Sequence, residues 1–97
     1  MANYIALLKF TDSGIRNIRE GPKRLDDARQ SFEAAGGNIV QFYLTLGQYD
    51  AVAIISAPDD EAYTRTMLML AAKGNISSTT LKALSEDQYR HIVSSMP

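Results

Sequence analysis

Apolar and β-branched residues fall into four short runs, separated by two longer stretches in which apolar positions recur every three or four residues. The first run, Tyr4–Phe10, is apolar on both sides except at Lys9. Asn38–Thr45 and Ala51–Ser56 are each too short for a helix, rich in β-branched and aromatic residues and bounded by turn formers, which predicts strands. Ile76–Leu84, crowded with hydroxyl and β-branched residues, predicts a fourth strand. Between the first two strands, Leu25, Ala28, Phe32 and Ala35 mark one apolar stripe of a helix that Gly36-Gly37 closes.

That first helical region is predicted to be interrupted. Thr11-Asp12-Ser13 offers N-caps, Ile15 and Ile18 suit one or two turns, and Pro22 fits the first turn of a new helix after Gly21. A second helix follows Ala57-Pro58-Asp59-Asp60-Glu61, with acidic residues at the positive end of its dipole and a stop at Lys73-Gly74-Asn75. Met67, Met69 and the aromatic positions read as core. Ser85-Glu86-Asp87 caps a terminal helix whose apolar positions are Tyr89, Ile92, Val93 and Met96.

The order β-α-β-β-α-β plus a helix predicts an α+β, ferredoxin-like sandwich in one domain over residues 1–97. Helices on one side leave the other side of the sheet to be explained. Strict alternation sets Val40, Phe42 and Leu44 against Ile39, Gln41, Tyr43 and Thr45, and sets Ile5, Leu7 and Lys9 against Tyr4, Ala6, Leu8 and Phe10. Neither face is polar, and large exposed apolar patches mark interfaces. The expectation is a homodimer or higher oligomer that covers the second face around a semi-polar cavity.

Gly47-Gln48-Tyr49-Asp50, between the two middle strands, is a hairpin corner: glycine supplies positive φ and Asp bonds back to nearby amides. Together with Lys9-Phe10-Thr11, Ala57-Pro58-Asp59-Asp60 and Gly74-Asn75 before a Thr-rich strand, in this order and spacing, it resembles the GYD family, over nearly the whole chain. The resemblance implies a ferredoxin-like, dimeric α+β-barrel relative in a bacterial family of unassigned function. It lends no catalytic residues.

Composition narrows the functional classes. Ten basic and eleven acidic residues are mixed along the chain, for a net charge of −1, so no electrostatic footprint for nucleic acid stands out. RNA-recognition modules share the topology but need exposed aromatics in a basic field, whereas the third strand offers Ala51, Val52 and Ala53. No run approaches the ~20 apolar residues of a membrane span. The N-terminus enters a strand with neither basic region nor cleavage site, which predicts a cytoplasmic protein without a signal peptide. Cysteine is missing, and the single His91 has no ligating companion, so neither a metal site nor a cofactor is expected. The glycines form no nucleotide-binding pattern.

The candidate ligand-binding residues are Lys9, Tyr43, Tyr49 and Asp50. A phenol donates to a carbonyl, a carboxylate accepts a proton, and a lysine in an apolar strand holds an anion. Against this, Tyr49 and Asp50 suit a purely structural corner, and Lys9 suits a strand-end cation reaching water along its aliphatic stem. The leading reading is a homo-oligomeric small-molecule-binding domain, with cofactor-free catalysis as an extension of it. The alternative is a non-enzymatic interaction or sensory module.

Overall fold

The computed structural model describes Met1–Pro97. Strands β1 (Ala2–Phe10), β2 (Asn38–Leu44), β3 (Ala51–Ala57) and β4 (Ile76–Ala83) form one sheet in the order β2-β3-β1-β4, with every neighbouring pair antiparallel. Helices α1 (Asp12–Arg16), α2 (Gly21–Ala34), α3 (Asp60–Ala71) and α4 (Glu86–Ser94) complete the chain, with a 3-10 turn at Ile18–Glu20 between α1 and α2. This is the ferredoxin-like α+β fold. The expected interruption of the first helical region lies there, and Pro22 stands in the first turn of α2.

Side-chain caps begin three of the helices. Thr11 accepts from the amide of Gly14, Asp59 accepts from Ala62, and Ser85 and Gln88 form a reciprocal capping box. Gly14 is buried where α1 meets the β4 approach, and a Cβ there would run into the backbone carbonyl of Asn75. Thr11 ties the same two segments together, its amide donating to Asn75 O at 3.1 Å and its hydroxyl to Gly74 O at 2.5 Å.

Register sorts the side chains into rows. Toward α2 and α3 point the rows Ile39–Ile55–Tyr4–Lys82, Phe42–Ala53–Ala6–Thr80 and Leu44–Ala51–Leu8–Ser78. The core is built on these, with Phe32 from α2 and Tyr63 and Met67 from α3. The opposite face carries the apolar rows Gln41–Ile54–Ile5–Leu81 and Tyr43–Val52–Leu7–Thr79. The polar row Asn38–Ser56–Asn3 borders them at one end and Lys9 with Ser77 at the other. No helix covers that face within the chain.

Two sequence expectations are corrected. Ile39 does not share a face with Gln41 and Tyr43: the register shifts between Ile39 and Gln41, and this bulge at Val40 returns Ile39 to the helix side, where it is buried. Met69 is not core. It is 58% exposed, because α3 presents Tyr63, Thr66 and Met67 to the sheet and turns Met69 outward, and the aromatic Tyr43 and Tyr89 stand outside the core as well.

Gly14→Ala tests the docking of α1 on the Gly74–Asn75 turn. The expected cost is about 1–3 kcal/mol, the usual range for forced overpacking, read as a lower midpoint in urea denaturation with unchanged slope.

Candidate functional site

At the end of the sheet where β1 finishes, the β2–β3 corner is held by backbone bonds. Gly47 adopts φ +123°. The Thr45 amide donates to Asp50 O at 2.9 Å, and the Thr45 hydroxyl to Tyr49 O at 2.6 Å. The Asp50 amide donates to Leu8 O at 2.8 Å, and its carboxylate oxygen Oδ2 accepts from the Phe10 amide at 2.9 Å. Asp50, just before β3, therefore extends the ladder by one residue and caps the last residue of β1. Lys9 stands beside this corner, its Nζ 5.6 Å from the centre of the Tyr49 ring, within reach of a cation–π attraction.

The four sequence candidates thus separate into groups. Lys9 and Tyr49 are together. Tyr43 is on the open face with them, in the row of Val52 and Leu7. Asp50 turns its carboxylate to the backbone, and no ion pair joins it to Lys9.

Two concave sites lie on the other side of the sheet. The larger is a cleft of about 460 Å³ between the sheet and the facing halves of α2 and α3. Ile18, Leu25, Ala28, Phe42, Leu70 and Ile76 are among its apolar walls, and Arg24, Asp27, Lys73 and Asn75 are its polar members. Arg24 donates to the carbonyls of Asn17 at 2.9 Å and Gly14 at 3.4 Å, while Lys73 and Asp27 make no ion pair. A volume of this size, mostly apolar with a few polar groups, is the usual form of a small-molecule pocket. Ala53 lies at its floor, where the strand side chain is only a methyl group.

The second site, a groove of about 400 Å³ between α3 and the β4 edge, carries a polar cluster. The Tyr4 hydroxyl donates to Asp60 Oδ1 at 2.5 Å, and Lys82, paired with Tyr4 in register, donates to Asp60 Oδ2 at 3.1 Å. The Tyr63 and Thr80 hydroxyls lie 2.7 Å apart. Burial pushes the Tyr4 phenol up from 10.0 to about 12, helped by the hydrogen bond to Asp60 and by the charges of Asp60 and Asp59. The Tyr4 bond, and then Lys82, hold the Asp60 carboxyl below its ordinary range. Burial raises the Tyr63 phenol as well. At neutral pH both phenols keep their protons, and neither is a base.

Sequence reasoning did not find the cleft or this cluster. Tyr4, Asp60 and Lys82 are far apart in the chain, and only register and the start of α3 join them. The stripe Leu25–Ala28–Phe32 was visible, but not that part of it faces a void. His91 is on exposed α4, and no three His, Cys, Asp or Glu residues lie close enough together to hold a metal ion. No helix is long and apolar enough to cross a membrane.

Residues 4–93, including the Gly47-Gln48-Tyr49-Asp50 corner, match the GYD domain. The chain belongs to the GYD domain family. This GYD domain is 34% identical over 85 residues to the glutamine synthetase and cystathionine beta-lyase binding protein of Thermus thermophilus, covering 87% of this chain and 90% of that one. Its fold resembles MtbAldR, with TM-score 0.68 at 15% identity over 88% of this chain and 52% of that one. It also resembles the feast or famine regulatory protein of M. tuberculosis complexed with L-methionine, with TM-score 0.67 at 12% identity over 88% and 51%. The GYD domain spans about half the length of these two proteins.

Replacing Asp50 by Ala leaves the Phe10 amide without its carboxylate partner, and a loss of about 1–3 kcal/mol is expected in denaturant titration. The Tyr4 phenol holds its proton more tightly in the folded than in the unfolded chain. The stability it contributes is therefore fully present below pH 10 and is lost as pH rises toward about 12. Melting temperature against pH should fall less steeply over that window in Tyr4→Phe than in the native protein.

Proposed function

We propose that this GYD domain is a homo-oligomeric regulatory module that binds a small amino acid, or a close analogue, in the cleft beneath α2 and α3. The observation that carries the reading is the cleft's chemistry. Apolar walls suit an aliphatic or thioether side chain, Lys73 and Arg24 suit a carboxylate, and Asp27 suits an ammonium. Likeness in fold to a regulator complexed with L-methionine supports the choice of ligand class. The uncovered apolar rows of the sheet support the oligomer, and Lys9, Tyr43 and Tyr49 then become the polar rim of the covered face.

A second reading, in which the module acts by binding an enzyme, is favoured by the Thermus thermophilus relative named for binding glutamine synthetase and cystathionine beta-lyase. The corner supports it: Leu46 at its tip is fully exposed. Apolar side chains on a protruding turn are anchors for a partner's pocket.

Isothermal titration with L-methionine and the branched-chain amino acids tests the first reading. One of them is expected to bind, and Ala28→Phe, which fills the cleft, is expected to weaken it at least about 10-fold, a loss of roughly 1.4 kcal/mol. Lys9→Ala and Tyr43→Ala should change affinity less than about 2-fold. A 10-fold loss in those two, with Ala28→Phe unaffected, would move the site to the open face. If no amino acid binds while purified glutamine synthetase or cystathionine beta-lyase does, the second reading replaces the first.

A further inference from the structure

Helix α4 is built to be a helix and touches almost nothing. Its capping box and the Glu86–Arg90 ion pair, 2.8 Å between Nε and Oε2, satisfy it locally. All nine residues are exposed, however, including the apolar positions Tyr89, Ile92 and Val93 on one side. Isolated helices shorter than about 12–15 residues are marginal in water, so local caps alone do not account for a nine-residue helix. It needs a surface. The chain's radius of gyration, 14.8 Å, also exceeds the roughly 12.5 Å of a compact chain of this length. That is the signature of an arm held off the body.

The same chain leaves a second surface without a partner: the two central apolar rows of the sheet, with Ile5, Leu7, Val52, Ile54 and Leu81. Polar residues border them at both ends, the arrangement of an interface core with its rim. We infer that these two unpartnered surfaces belong together across a dimer: α4 of each copy is an exchanged arm that lies on the open sheet face of the other. This deepens, and rests on, the homo-oligomeric reading above.

Area favours the exchange over sheets meeting alone. Four strands about 4.8 Å apart and about seven residues long at ~3.3 Å each present on the order of 400 Å² in projection. A stable pair buries about 800 Å² of accessible surface per partner, and the two central apolar rows are only part of this face. Each arm adds its own apolar side and the surface it covers. A two-fold axis lets both copies do this at once, so no apolar stripe is left over to propagate assembly.

The test uses the full chain. Because it has no cysteine, introduced thiols report without ambiguity. Sedimentation velocity compares the native protein with Ile92→Asp/Val93→Asp, a double change confined to exposed positions that leaves the body intact. In parallel, Ile92→Cys and Leu7→Cys proteins are mixed, allowed to exchange and treated with a short bismaleimide. A dimer whose dissociation constant rises at least about 100-fold in the double variant, with a cross-link between the two differently labelled chains, supports the exchanged arm. An unchanged dimer without that cross-link overturns the arm but leaves the homo-oligomer standing. A chain carrying both cysteines that cross-links only within itself shows α4 folding back on its own sheet and overturns the exchange. A native protein that stays monomeric at high concentration overturns the oligomer and the arm with it.

Discussion

Tyr4 stacks on Tyr63 with ring centroids 4.1 Å apart, and Phe32 tilts against Tyr63 at 5.9 Å, so that β1, α3 and α2 meet in one aromatic contact. This cluster sets how far the helices stand from the sheet. At its own end the layer is filled by rings. The apolar cleft runs beside the rings, with Phe32 on its wall and Ala53 giving only a methyl group to its floor. Offset aromatic pairs contribute about 0.5–1.5 kcal/mol beyond their buried area. Their larger effect here is geometric.

The corner of the GYD motif serves the same end of the molecule from the opposite side. Asp50 caps the Phe10 amide and receives the end of β1 into its loop, and Phe10 is itself a wall of the cleft. The family's signature residues thus act on the cleft through the backbone of β1. Gly47 supplies the turn, Asp50 the cap, and Tyr49 a face for Lys9.

A small domain that covers one side of its sheet with helices has a second side to resolve, and a chain of this size has little apolar surface to spare. Here the unresolved surface is divided between the two central rows of the sheet and the face of α4. Neither is large by itself. The apolar cleft lies on the helix side of the sheet and the uncovered rows on the other.

Local pattern determined much of this protein. Strand positions, the break before Pro22, the caps at Thr11, Asp59 and Ser85 and the hairpin at Gly47 follow from residues within a few positions of one another, because turn chemistry and side-chain period act at that range. The family was legible for the same reason. Tertiary structure alone decided the rest. The bulge at Val40 reverses the phase of Ile39, since one unpaired residue moves every side chain before it to the other face. Register, not sequence distance, brings Lys82 beside Tyr4 and both to Asp60. The cleft is a volume between elements, and whether a helix stripe meets a side chain or a void depends on the size of residues on strands that the stripe itself does not contain.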